Sequence, residues 1–212
     1  TGFPWNVFGQ SLGGPLALAQ TASLVGLWGM TFIAVAVFSS AATLADERAD
    51  NRYRWLPVAA ATAVLIGLVV YGAVRLAGHP TEFVDGVKLR IMQPDLSQDT
   101  KFNYGAKREV MQRYLALSDR SSGPQSSGIR DVTHLIWPES AFPFFLTREP
   151  DALAEIANLL PPGTTLITGG ARIEEQGADE ARRRAFNSIY VIDHDGTVVS
   201  VYDKLHLVPF GE

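Results

Sequence analysis

Long uncharged stretches mark the first part of the chain. No charged residue occurs between Thr1 and Ala45, and Trp55–Val74 is again free of charge. A helix needs roughly 20 apolar residues to cross a hydrocarbon core of about 30 Å, and both stretches reach that length. The pattern therefore predicts two transmembrane helices, at about residues 16–44 and 55–75. The alternative is a pair of buried helices in a large soluble protein, which is disfavoured because such helices rarely run this long without a charge.

The charges that separate the two stretches predict an orientation. Arg48, Arg52 and Arg54 lie between them, whereas no Lys or Arg precedes the first stretch. Positively charged loops tend to stay on the cytoplasmic side of a membrane. We therefore expect Thr1 and everything after about residue 76 to lie on the outer face. Arg75, at the outer end of the second stretch, argues mildly against this orientation.

From about residue 81 the pattern changes to short apolar runs separated by polar loops. Alternating or β-branched runs predict strands, and wider apolar spacing predicts helices. The predicted order is a strand at 87–93, a helix at 104–119, strands at 132–137 and 164–170, with a helix at 151–160 between them, and a hairpin at 187–203. This order is typical of an α/β domain. We expect a membrane region at 1–80, followed by an α/β domain at 81–212.

Composition removes several classes of function. A net charge of -4 without a basic stripe argues against nucleic-acid binding. The absence of Cys excludes disulfides, zinc–cysteine sites and a cysteine nucleophile within these residues. The histidines show no metal-ligand spacing and no Gly-rich phosphate loop follows a strand, so neither a metal nor a cofactor is predicted. Because the chain starts with Thr and lacks a basic n-region, we expect it to be an excerpt from a longer protein.

Two ionisable residues are placed where chemistry is common. Glu139 follows a predicted strand and the pair Trp137-Pro138, and active-site groups often collect at strand ends of α/β sheets. In the apolar company of Trp137 and Phe142, it is a candidate general base. It is equally a candidate for capping the next turn. Lys204 follows the last predicted strand and is a candidate to stabilise an oxyanion or pair with Glu139, although an exposed lysine is the commoner outcome.

Four segments together resemble the bacterial apolipoprotein N-acyltransferases, which are membrane enzymes with a nitrilase-like domain. "WPES" at 137–140 resembles the family signature at the catalytic Glu, and "YDKLHLVPFGE" at 202–212 the longer signature at the catalytic Lys. "QPDLSQDTKF" at 93–102 resembles a loop written Q-x-D-x-x-Q-x-x-K-W. "TGFPWNVFGQS" at 1–11 resembles the segment before the later membrane spans.

The resemblance implies roles for four residues. Glu139 matches the general base and Lys204 the lysine of a Glu-Lys-Cys triad, and Glu212 matches a further essential Glu. Phe102 stands where the family usually has Trp, on a loop near the substrate. The ring is kept but the indole N–H is lost, so the resemblance implies a role in packing against an acyl chain and no hydrogen bond from this side chain. The implied fold is an α-β-β-α sandwich, of which this chain holds the N-terminal part.

The implied reaction transfers an acyl chain from a phospholipid, through a Cys thioester, to the α-amine of a diacylglyceryl-cysteine lipoprotein. The implied location is the bacterial inner membrane, multi-pass, with the nitrilase-like domain on the periplasmic face. The family Cys lies beyond the Lys motif, so we expect these 212 residues alone to be inactive. The alternatives are a membrane-tethered nitrilase-type amidase and a non-catalytic membrane scaffold.

Overall fold

A computed structural model describes residues 7–45, 51–121, 123, 126–174 and 184–208. The chain divides into two compact units, Thr1–Glu82 and Phe83–Glu212. The first unit contains helices α1 (Leu16–Ala19), α2 (Ala22–Ser40) and α3 (Asn51–Gly78). Two stretches, Ala22–Ala45 and Tyr53–Gly78, are long and apolar enough to cross a membrane. Their uncharged sequences explain this property directly.

The first apolar stretch is interrupted rather than forming one straight helix. Gly26 has φ +63° and ψ -177°, a backbone conformation that glycine adopts without steric cost. Polar side chains join the two apolar helices near both ends. Ser23 Oγ lies 3.0 Å from the hydroxyl of Tyr71, and Thr43 Oγ1 donates to the carbonyl of Arg54 at 2.9 Å. These bonds satisfy polar groups that would otherwise face apolar surroundings.

The second unit is built on one mixed five-stranded sheet in the order β1-β2-β3-β4-β5. The strands are β1 (Leu89–Ile91), β2 (His134–Ile136), β3 (Thr165–Glu174), β4 (Arg184–Ile192) and β5 (Val198–Asp203). β1, β2 and β3 are parallel, whereas β3, β4 and β5 are antiparallel. Helices α4 (Gln98–Lys101), α5 (Lys107–Ser118) and α6 (Pro150–Leu159) lie in the connections. The predicted arrangement of apolar helices followed by an α/β unit is confirmed.

The core lies on one face of this sheet, beneath α5 and α6. Most of its fully buried side chains come from both helices and from three strands: Val110, Tyr114, Leu135, Ile156, Leu166, Tyr190 and Ile192. The indole of Trp137 packs 4.7 Å from the ring of Tyr114 and donates from Nε1 to Ser118 Oγ at 2.9 Å. Trp137 is the residue that follows β2, and these contacts tie it to α5. They thus determine where the following turn begins.

The opposite face of the sheet is apolar but open. Ile91, Ile136 and Ile167 lie side by side across the three parallel strands, and Ile189 and Tyr202 are paired on the antiparallel side. Ile91 is 72% exposed and Ile189 is 47% exposed. This face therefore has the composition of a buried surface. Parallel strands are normally covered on both faces.

The buried indole bond leads to a stability prediction. Ser118→Ala is expected to lower the free energy of unfolding of the α/β unit by about 1–3 kcal/mol, because the indole N–H loses its partner inside the core. Thermal unfolding followed by near-ultraviolet circular dichroism measures the change. Ser200→Ala, on the exposed side of β5, is the matched control and should stay within about 0.5 kcal/mol. Equal effects of the two substitutions would contradict the prediction.

Candidate functional site

The turn that carries Glu139 is held tightly against β3. Trp137 N donates to the carbonyl of Ile167, and Ala141 N donates to the carbonyl of Gly169 at 3.1 Å. A Cβ on Gly169 would lie 2.7 Å from Glu139 Cα, which real Cβ atoms do not tolerate. Ser140 has φ +52°, a left-handed conformation that is uncommon outside glycine and often occurs at functional sites. The backbone of Glu139 is therefore closely constrained from both sides.

The structure brings Glu139 and Lys204 together across 65 residues of sequence. Lys204 Nζ lies 3.1 Å from Glu139 Oε1, and Asn187 Nδ2 donates to the same oxygen at 2.7 Å. The backbone N of Lys204 also donates to the carbonyl of Asn187 at 2.8 Å, so β4 holds the lysine by its main chain. Asn187 was not a predicted site residue. Its only signal in the sequence is its place as the first residue of the predicted hairpin, where Ser188 is also polar.

Exposure limits what this ion pair contributes to stability. The side chain of Glu139 is 62% exposed and that of Lys204 is 32% exposed. Solvent screening makes such pairs weak stabilisers, so the contact matters for geometry rather than for folding energy. Trp137 and Phe142, which were expected to give this carboxylate apolar surroundings, are buried in the core, whereas the carboxylate itself is largely exposed.

A cavity of about 380 Å³ begins at this ion pair. Its walls are mostly apolar and include Ile136, Ile167, Ile189 and Tyr202, whereas Glu139, Asn187 and Lys204 supply its polar side. Such a lining suits a ligand with a hydrocarbon part and one polar reacting group. The cavity lies on the open apolar face of the sheet.

A second ion pair fixes the end of β5, directly before Lys204. Arg172 Nε and one terminal nitrogen donate to Asp203 Oδ1 and Oδ2 at 2.9 and 2.6 Å, and Ser188 Oγ donates to Oδ1 at 2.6 Å. The guanidinium also stacks 4.4 Å from the ring centroid of Phe186. Two-pronged contacts of this kind fix direction as well as distance. The pair thus fixes the direction in which the chain leaves β5 and the backbone position of Lys204.

The hydrogen bonds from Arg172 and Ser188 hold the pKa of the Asp203 carboxyl below its usual range, and those to Asp203 raise the pKa of Arg172. Sequence reasoning missed both residues of this pair. The available signal was weak, because Arg172 precedes a highly charged segment and Asp203 is notable only as the residue before Lys204.

The two other predicted site residues have different outcomes. Phe102 follows α4, and its ring is 64% exposed. The adjacent Lys101 donates from Nζ to the backbone carbonyl of Glu139 at 3.2 Å, so the segment that bears Phe102 reaches the candidate base. Glu212 lies outside the described residues. Within the described ranges, no group of three or more His, Cys, Asp or Glu side chains is arranged to hold a metal ion.

The second ion pair generates a pH prediction. A lowered carboxyl pKa in the folded state stabilises the fold above the ordinary Asp value of about 3.9, and this contribution is lost as the pH falls through the folded value. Asp203→Asn should therefore flatten the fall of the unfolding midpoint below about pH 5. Asp85→Asn, in the exposed turn before β1, is the matched control. Identical pH profiles for wild type and Asp203→Asn would rule out this contribution.

Comparison with known proteins supports the resemblance seen in the motifs. All 212 residues align with the apolipoprotein N-acyltransferase of Bradyrhizobium diazoefficiens at 66% identity and with that of Rhodopseudomonas palustris at 59%. The identity to the Agrobacterium fabrum protein of the same name is 37%, again over the whole chain. The chain spans about 40% of the length of these relatives.

No protein-family model matches the chain. Among solved structures, a glutamine-dependent NAD+ synthetase from Acinetobacter baumannii superposes on 49% of this chain and 19% of its own, at 18% identity and a TM-score of 0.34. That likeness is too slight to inform the fold. The sequence relatives are decisive: over its whole length the chain is similar to the apolipoprotein N-acyltransferases, and the resemblance indicated by its motifs is confirmed.

Proposed function

We propose that this chain is the part of an apolipoprotein N-acyltransferase that supplies the general base and the lysine of a thiol-dependent acyl transfer. The observation that carries the proposal is the 3.1 Å contact between Glu139 Oε1 and Lys204 Nζ at one end of an apolar cavity. The similarity of the whole chain to proteins of that name favours this function over a small-amide hydrolase or a scaffold.

The two carboxylate oxygens of Glu139 have different tasks in this proposal. Within the described part of the chain, Lys204 and Asn187 both bond to Oε1. Oε2 is therefore the oxygen that can accept a proton. Lys204 and Asn187 keep the carboxylate from rotating, so that Oε2 faces the reacting groups.

The first step forms a thioester. The nucleophile is a Cys outside these 212 residues, which contain none. Glu139 accepts the proton of its thiol, and the thiolate attacks the ester carbonyl carbon of a phospholipid. Lys204 stabilises the negative oxygen of the tetrahedral intermediate. The intermediate expels the lysophospholipid alkoxide, which takes the proton from Glu139, and the acyl chain remains on sulfur.

The second step transfers the acyl chain to nitrogen. The α-amine of a diacylglyceryl-cysteine lipoprotein attacks the thioester carbonyl, and Lys204 again stabilises the oxyanion. Glu139 accepts a proton from the attacking amine, and the thiolate leaves as the amide forms. Protonation of the thiolate by Glu139 restores the starting state. Phe102 packs against the acyl chain in this proposal, and Glu212 supports the site as an accessory carboxylate.

The proposed architecture follows from the open face of the sheet. Residues 81–212 form the N-terminal part of a nitrilase-like α-β-β-α sandwich, and a second sheet covers the apolar face that includes Ile91 and Ile189. Residues 1–80 form a membrane region with two transmembrane helices, supported by their length and composition. The arginines between these helices favour a multi-pass protein of the bacterial inner membrane with its nitrilase-like domain on the periplasmic face. Both lipid substrates are then components of the membrane that holds the protein.

Removing the base tests the proposal. In the full-length protein, Glu139→Gln should lower the rate of thioester formation by about 10²–10⁴-fold, because the amide cannot accept the thiol proton. The measurement is the burst of labelled acyl chain bound to the enzyme after mixing with phospholipid. Glu155→Gln, at an exposed position of α6, is the matched control. An undiminished burst in Glu139→Gln would exclude Glu139 as the base.

A protein of only these 212 residues provides a second test. Placed in vesicles with labelled phospholipid, it should form no thioester, because it has no thiol. The measurement is protein-bound label that hydroxylamine releases, compared with the full-length protein under the same conditions. Hydroxylamine-sensitive label on the 212-residue protein would contradict the proposed chemistry.

A further inference from the structure

The segment that bears Phe102 is a preformed turn rather than a loose loop. Ser97 Oγ accepts from Thr100 N at 3.2 Å, and the carbonyl of Ser97 accepts from Lys101 N at 2.9 Å. These bonds close the single helical turn α4, at whose end Lys101 and Phe102 stand. The relative positions of the lysine and the ring are therefore set by the turn itself.

Both ends of this segment are anchored to the α/β unit. On one side, Arg113 Nε donates to the carbonyl of Pro94 at 2.9 Å, and Asp95 takes φ +50° immediately afterwards. Asp is one of the few residues that adopt this left-handed conformation readily. The chain therefore changes direction at a fixed point just before the turn begins.

On the other side, a three-residue cluster holds the chain. The Tyr104 hydroxyl donates to Glu149 Oε1 at 2.7 Å, and Lys107 Nζ lies 3.0 Å from both Glu149 oxygens. The bonds to Tyr104 and Glu149 raise the pKa of Lys107, and those from Tyr104 and Lys107 lower the pKa of Glu149. The cluster thus keeps its charges at neutral pH. The turn is thus held on both sides by contacts to the rest of the α/β unit.

One contact joins this turn to the candidate base. Lys101 Nζ donates to the backbone carbonyl of Glu139 at 3.2 Å and lies 5.6 Å from the ring centroid of Phe102. The preceding carbonyl, that of Pro138, accepts from Gly169 N, and the left-handed Ser140 follows. The constrained turn around Glu139 thus presents its own carbonyl to Lys101.

We propose that Lys101 is a positioning residue: its ammonium fastens the turn at residues 97–102 to the Glu139 carbonyl and so keeps the segment that bears Phe102 beside the candidate base. This inference rests on the proposed acyl transfer for its effect on rate, but the fastening itself is a structural property. When the bond is lost, the segment moves away from the base for part of the time. The fraction of competent enzyme then falls, and the rate of acyl transfer falls with it.

The experiment compares Lys101→Met, Lys101→Arg and wild type in the full-length protein. Methionine keeps most of the side-chain length without a donor, whereas arginine keeps charge and donors. Amide hydrogen exchange, followed by mass spectrometry of peptides covering residues 95–103, reports opening of the turn without requiring activity. Lys88→Met is the matched control. Lys88 is exposed and lies before β1, at the end of the parallel strands that is away from Glu139.

We expect Lys101→Met to accelerate exchange in these peptides by about 5-fold, the effect of losing one modest hydrogen bond. Peptides from β3 and α5 should not change. The value of kcat/KM for acyl transfer should fall too, by less than about 5-fold, because it follows the fraction of enzyme in which the turn is closed. Lys101→Arg should recover both quantities. Lys88→Met should leave both at the wild-type value.

Unchanged exchange in Lys101→Met would overturn the inference. A higher KM for phospholipid with unchanged exchange would also overturn it, and would assign Lys101 to binding the lipid headgroup. If Lys101→Met exchanges faster but the wild-type full-length protein transfers no acyl chain, the fastening is supported and the proposed function is refuted. The two proposals therefore fail separately.

Discussion

The close approach of Gly169 to the backbone of Glu139 is the constraint on which the site depends. A side chain at position 169 would occupy the space of Glu139 Cα and Ser140 N. Without one, the turn after β2 lies directly on β3, and β3 pairs along its length with β4. β4 in turn carries Asn187 and pairs with β5, which ends just before Lys204. β3 therefore fixes the position of Glu139 relative to Asn187 and Lys204, because it contacts the Glu139 turn and pairs with β4.

The pattern of apolar and polar residues was sufficient for the element types, because burial on one face imposes a period on the sequence. It did not predict strand lengths: β1 and β2 contain three residues each, shorter than the apolar runs at 87–93 and 132–137. Pairing with a neighbour, rather than the sequence of the run, decides where a short parallel strand ends. The break at Gly26 was likewise not predicted, because glycine also occurs in continuous membrane helices.

The candidate site was only partly predictable for a related reason. Glu139 and Lys204 were recognisable because each lies in a motif of several residues. Arg172 and Asn187 act through pairing across strands, and their partners, Asp203 and Glu139, are distant in sequence. A polar residue on a strand shows nothing of its partner until the register is known. Recognising supporting residues of this kind requires the tertiary structure, whereas the groups that they support lie in sequence motifs.

The polar and apolar parts of the site share the same sheet face, and this links completion of the fold to completion of the site. Ile136, Ile167 and Ile189 belong both to the open face and to the wall of the cavity beside Glu139. In the proposed sandwich, a second sheet that buries this face also closes the cavity. Water would then be displaced from the Glu139–Lys204 pair, and charge interactions strengthen where the effective dielectric constant falls. The modest, exposed ion pair of this chain would become a stronger electrostatic element only when the remainder of the protein packs on it.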